Sequence, residues 1–124
     1  LGHGLSVAVG MAIAIKPRRV FVLLGDGECD EGSVWEAAMC AAKHKLDNLT
    51  VLVDYNQQQS YGSTHDVMEL EPFEEKWRAF GFSVMQSLLY TSRNKPRVII
   101  CHTIKTGFPH KNAITEADLA QYMP

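Results

Sequence analysis

The sequence predicts an α/β domain with a mainly parallel sheet flanked by helices. Three observations lead there. Short apolar runs alternate with longer Ala-rich stretches, the pattern left by strand–helix–strand crossovers. The runs at 20–24 and 49–53 are continuously apolar or β-branched rather than alternating, as strands covered on both faces require. Each of these two runs ends on small or polar residues, Gly25-Asp26-Gly27 and Asp54-Tyr55-Asn56, where a parallel sheet places its ligands.

Taken in order, residues 4–15 form an Ala/Gly-rich apolar helix whose cationic end is Lys16. Residues 20–24 form a buried strand, and residues 33–45 a helix with Ala37, Ala38, Ala41 and Ala42 on a closely packing face. A second buried strand covers 49–54, a helix 72–80, a short strand 81–84 and another strand 97–103. A closing helix over 115–122 is capped by Thr115, with Glu116 and Asp118 favourably placed in its first turn. The joint at 83–88 passes from strand to helix without an ordinary turn residue, the joint at 15–17 is tight, and 106–110 changes character abruptly. They point to a single domain over 1–124 that is incomplete, with mobile loops missing.

At 124 residues, 46% hydrophobic and 21% charged, the chain can bury one core. A net charge of -2, with no Lys/Arg cluster, leaves no footprint for nucleic acid. No apolar run approaches membrane-spanning length. Cys29, Cys40 and Cys101 are odd in number and widely spaced, which argues against a disulfide framework or zinc site and for a reducing, cytoplasmic setting. They read as small packing residues, Cys29 being the one near a candidate site.

Asp26 and Asn56 lie 30 positions apart, a spacing that fits one crossover helix plus one strand. On neighbouring strands they would face each other across one crevice. A carboxylate and an amide oxygen are hard ligands suited to magnesium or calcium, and such a cation is commonly shared with phosphate oxygens. Gly25 and Gly27 let those oxygens approach the backbone, and amides at the following helix start complement their charge. The pattern describes a metal-bridged diphosphate site.

The stretch from Gly25-Asp26-Gly27-Glu28-Cys29-Asp30-Glu31-Gly32 through Trp35-Glu36-Ala37 to Asp54-Tyr55-Asn56 resembles the thiamine-diphosphate signature of the transketolase family. Leu1-Gly2-His3-Gly4-Leu5-Ser6, Tyr61-Gly62-Ser63-Thr64, Lys76 to Gly81 and His102-Thr103-Ile104-Lys105 extend the likeness. The resemblance implies thiamine diphosphate as cofactor and Mg2+ (Ca2+ possible in its place) as metal. Asp26 and Asn56 would bind the metal through side chains and Gln58 through its carbonyl. Gly25 and Gly27 would line the diphosphate, and Leu1 would lie near the cofactor's rings. Glu31 would join an interface network linking two active sites, and His110 would stand near diphosphate and substrate. The implied reaction moves a two-carbon ketol unit between sugars, often phosphates. A pyrimidine-binding domain would come from a partner subunit or a further stretch of chain, in a hetero-oligomer with two or more copies of each half.

Other readings stay open at this point. The α subunit of a 2-oxo-acid dehydrogenase shares the Asp/Asn logic, and a non-catalytic scaffold could keep the fold. A generic nucleotide-binding domain lacks its glycine-rich segment here. His102 reads as a satisfied core residue, Trp35 and Trp77 as packing anchors, and Lys76 and Arg78 as a solvated face balanced by Glu74 and Glu75. His44 and His65 read as surface residues, and His3 has no assigned role.

Overall fold

The computed structural model describes residues 1–85 and 92–104. Helix α1 (His3–Ala14) buries Leu5, Ala8, Val9 and Ala12, the spacing of one helical face. It packs on strand β1 (Val20–Gly25). A 3-10 turn over Gly27–Asp30 leads into α2 (Gly32–Lys43), whose Val34, Ala37, Ala38 and Ala41 are buried and which packs on α1. Strand β2 (Leu49–Tyr55) is followed by a small antiparallel hairpin, β3 (Gln58–Gln59) and β4 (Gly62–Ser63). Next come the one-turn helix α3 (Thr64–Val67), helix α4 (Phe73–Ala79), and strands β5 (Ser83–Val84) and β6 (Arg97–His102). The main sheet has the order β1-β2-β6-β5, and every pair in it is parallel.

The α/β class and the parallel sheet therefore stand as the sequence predicts, and helix bounds shift by one or two residues. The β3–β4 hairpin and α3 are additions, and the helix expected over 115–122 lies outside the described residues. Two expectations are corrected. Strand β1 is not covered on both faces among the described residues: Val20 and Leu24 are buried under α1, whereas Phe21 and Leu23 are 50% and 68% exposed. The cysteines are not uniformly packing residues either, since Cys29 is buried but Cys40 is exposed and Cys101 half-buried, all three unpaired. Cys40 sits on α2 away from the Ala37, Ala38 and Ala41 face. No helix among the described residues is long and apolar enough to cross a membrane.

An aromatic cluster joins α2 and α4 to the sheet. Trp35 lies 5.0 Å from Trp77 and 4.9 Å from Phe80, and Phe73 stacks on Tyr55 at 5.4 Å. Trp77 is fully buried and meets Phe82 edge-on at 4.9 Å. These rings anchor the packing, as expected for Trp35 and Trp77, and Phe73 presses on Tyr55 at the carboxyl end of β2. At the other end, a turn closed by Arg18 N–H donating to Ile15 O spans the joint at 15–17.

Asn48 ties that end together. Its buried Nδ2 donates to Ala12 O and to Arg18 O, both at 2.9 Å, while its own carbonyl accepts from Val20 N at 2.9 Å. The side chain thus locks the end of α1 to the start of β1. Asn48→Ala removes a donor from the buried Ala12 carbonyl and another from the partly exposed Arg18 carbonyl, and each such loss costs about 1–1.5 kcal/mol. The variant is expected to lose roughly 2–3 kcal/mol in a urea unfolding titration with little change in the slope.

Candidate functional site

The register of β1 on β2 decides what meets at the carboxyl end. Gly25 pairs with Asp54, and Asp26 N donates to Asp54 O at 3.1 Å, so the two strands finish side by side. The Asp26 side chain turns inward and is only 2% exposed. Its Oδ1 accepts from Gly27 N at 2.7 Å and its Oδ2 from Gln57 N at 2.6 Å. Across the crevice, Asn56 Oδ1 accepts from Gln58 N at 3.0 Å. Gln57 takes the left-handed conformation, φ 61°, which bends the chain there. The Asp26 and Asn56 oxygens therefore accept from consecutive peptide N–H groups. The two residues that the sequence pairs by spacing are brought to one loop.

A hard cation fits this donor set. Each of these oxygens has further lone-pair capacity beyond the bond it accepts. No three His, Cys, Asp or Glu side chains gather into a metal-binding group among the described residues, so a cation held here needs a mixed set of carboxylate, amide and peptide oxygens. Gly25 has nothing within 4 Å of the place a Cβ would occupy, leaving room for a phosphate beside the turn. Gly27 is different: a Cβ there would stand 3.0 Å from Gln59 Cβ. Gln59 lies over that glycine and donates from Nε2 to Asp30 Oδ2 at 2.8 Å.

The 3-10 turn between the glycines and α2 is acidic and closely tied. Cys29 Sγ donates to Gly25 O at 3.4 Å, and Trp35 Nε1 donates to Cys29 O at 2.9 Å. Burial pushes the Cys29 thiol well above its ordinary value, reinforced by Glu28, Asp26 and Asp30. Its thiolate, the reactive form, is therefore scarce, and Cys29 belongs to the packing. The segment at 1–2 docks on the same turn. Gly2 N donates to Glu28 Oε1 at 2.9 Å, and Ser33 Oγ donates to Gly2 O at 3.0 Å. Gly2 has φ 77°, and a Cβ on it would come within 2.8 Å of Glu31 Cβ. Gly2 thus lies against Glu31, and both Glu31 and the neighbouring Leu1, 86% exposed, are open to solvent. His110 lies outside the described residues.

Beside the crevice, Tyr55 and Glu71 frame a cavity of about 300 Å³ that reaches His102, Phe73 and Arg78. His102 is exposed, not the core residue its apolar strand suggests, because β6 leaves the core there; its ring meets Tyr55 edge-on at 5.2 Å. Tyr55 O–H donates to Glu71 Oε1, and Glu71 Oε2 accepts from Phe73 N at 2.8 Å, fixing the start of α4. Burial and the Glu71 bond push the Tyr55 hydroxyl up to about 12. The same bond, with the Phe73 amide, holds the Glu71 carboxyl below its usual range. Sequence reasoning missed Glu71, Gln57 and Gln59. The proximity of Glu71 to Pro72 at a helix start was the one available signal.

The family model for the transketolase thiamine diphosphate binding domain matches residues 1–120. The chain belongs to the transketolase family. It is 44% identical over 123 residues to an apulose-4-phosphate transketolase subunit of Phocaeicola vulgatus, covering 85% of this chain and 43% of that protein. It is 42% identical over 123 residues to a 6-deoxy-6-sulfo-D-fructose transketolase subunit from a Clostridium, covering 85% of this chain and 44% of the relative. The chain thus spans less than half the length of these relatives. Among solved structures, transketolase from Leishmania mexicana superposes with a TM-score of 0.74 at 29% identity, over 81% of this chain and 19% of that one.

Two tests follow from the geometry. Gly2→Ala must displace Glu31 or Ser33 and adopt a strained φ, so it should lower the melting temperature by several degrees. The Tyr55–Glu71 pair contributes a pH-dependent stability at both ends. Glu71, depressed in the fold, contributes above the ordinary carboxylate range of about 4.3 and loses that contribution as pH falls below it. Tyr55, raised in the fold, contributes below its unfolded value near 10 and loses that contribution as pH climbs through its folded value. Melting curves across pH should show both losses in the wild type, and Tyr55→Phe should remove the alkaline one.

Proposed function

We propose that this chain supplies the metal–diphosphate half of the active site of a split transketolase-type enzyme. Such an enzyme transfers a two-carbon ketol unit between sugars, often phosphates. The observation that carries this reading is the convergence of the Asp26 and Asn56 oxygens on the consecutive amides of Gln57 and Gln58. Relatives named as subunits of a transketolase, matched over 85% of this chain, support the split arrangement.

Electrostatics argue for the cation. Asp26, Glu28 and Asp30 all act on Cys29 within the turn, and a diphosphate brought beside these carboxylates is favoured by a cation between the charges. Mg2+, with Ca2+ as a possible substitute, would be held by Asp26 and Asn56 side-chain oxygens and the Gln58 carbonyl. Gly25 gives the diphosphate room, and Gly27 contacts it once Gln59 yields. Thiamine diphosphate, when bound, supplies the carbanion chemistry that cleaves and forms the carbon–carbon bond. The chain's own task is to hold the diphosphate end and to exclude misplacement. Leu1 and Glu31, both exposed, would serve the partner side: Leu1 near the cofactor's rings, Glu31 in a network between sites. By the family resemblance, His110 would serve the diphosphate and substrate side.

The partner would be a pyrimidine-binding subunit or domain, with two or more copies of each half. Residues 1–124 form a single domain in this reading, shortened at the three joints. The free thiols, Cys40 exposed among them, fit a reducing cytoplasm.

Calorimetric titration of thiamine diphosphate into the full-length protein with its partner tests this. Binding is expected with magnesium and is expected to vanish in EDTA. Asp26→Ala should abolish metal-dependent binding while circular dichroism stays near that of the wild type. Binding that ignores EDTA, or an Asp26→Ala variant with unchanged affinity, rules the site out.

A further inference from the structure

We infer that Asp54 is a positioning residue that, with the Gln58 N–H, sets which end of the Asn56 amide faces the metal loop. The inference rests on the metal site proposed above. An asparagine amide has an oxygen end and an NH2 end of nearly equal size, and only the oxygen can ligate a cation. Nothing in Asn56 itself selects between them. The structure supplies a selector on each side. Asn56 Nδ2 donates to Asp54 Oδ2 at 3.1 Å, and a carboxylate offers acceptors alone. On the other side the Gln58 N–H, a donor, meets Asn56 Oδ1 at 3.0 Å. A flipped amide would set NH2 against N–H and oxygen against carboxylate, so both contacts would turn repulsive.

Asp54 is itself held from three directions. Its Oδ1 accepts from Thr103 Oγ1 just past β6, and Thr103 N donates to Tyr55 O at 3.1 Å, fixing the hydroxyl's position. Its backbone carbonyl accepts from Asp26 N at 3.1 Å. The residue sits at the half-buried end of β2, paired with Gly25 on one side and Cys101 on the other. One residue therefore reaches both proposed side-chain ligands of the metal, through its backbone to Asp26 and through its side chain to Asn56. Removing such an outer partner of a ligand typically lowers metal affinity about 10- to 100-fold.

Three variants of the full-length protein, assembled with its partner, separate orientation from charge. The readout is the magnesium concentration that half-saturates thiamine diphosphate binding, measured by calorimetry, with the melting temperature of the metal-free protein recorded alongside. Asp54→Ala should raise that concentration at least about tenfold. Asp54→Asn removes the charge but keeps an oxygen for Asn56 Nδ2, and should stay much closer to the wild type. The double variant Asp54→Ala with Asn56→Asp should recover most of the lost affinity, because a carboxylate presents oxygen at both ends and needs no orienting. An Asp54→Asn variant as impaired as Asp54→Ala would overturn the proposal in favour of simple charge. So would a double variant without recovery, or an Asp54→Ala that melts early yet keeps the wild-type magnesium dependence. Wild-type binding without any magnesium dependence would instead defeat the metal site itself, and Asp54's role with it.

Discussion

Everything at the crevice depends on the parallel register of β1 against β2. Gly25 lies opposite Asp54, and the bond from Asp26 N to Asp54 O carries the pairing one residue past the strand. A slip by one residue would send every side chain of the strand to the other face. It would also separate Asp26 from the 56–58 loop. What prevents the slip is far from the chemistry: Val20 and Leu24 are buried, and a shifted β1 would turn them to the exposed face that Phe21 and Leu23 occupy. Asn48, at the opposite strand ends, anchors the same register by clamping α1 to the approach of β1. The apolar core thus fixes the positions of polar groups that it never touches.

That division explains what the sequence made legible. Asp26 and Asn56 could be paired from spacing because strand ends are predictable where apolar runs stop and parallel strands align. The β3–β4 hairpin could not, since strands of two residues within a Gln-Gln-Gln run carry no alternation. Neither could the docking of Gly2 on Glu28 and Ser33, which joins positions 26 and 31 residues apart through one side chain each. His102 misled because the apolar pattern of β6 continues to a residue that has already left the core. Cys40 misled for a similar reason: composition says that it is small and apolar, but only helical phase says which face of α2 it occupies.

Asp54 shows a further limit. From sequence it is simply the polar residue that closes a strand. Its significance lies in partners drawn from three segments, Asp26, Asn56 and Thr103, none of which a linear pattern links to it. Glu71 is a parallel case on the neighbouring rim, tying the end of β2 to the start of α4 through Tyr55 O–H and Phe73 N. Both carboxylates hold loops in place by accepting donors that would otherwise go unsatisfied at strand and helix ends.

The same logic accounts for the acidic turn as a stable feature. Four carboxylates crowded beside two glycines should repel one another and open the loop. Instead Asp26 takes the Gly27 and Gln57 amides, Glu28 the Gly2 amide, and Asp30 the Gln59 side chain, so three of the four are compensated by donors from outside or within the turn. Glu31 is the exception. It has no capping bond to α2 and stays exposed, although its backbone position is crowded by Gly2. An exposed carboxylate is compensated by water, so Glu31 alone among the four needs no donor from the chain, whereas the three that turn inward must each find one.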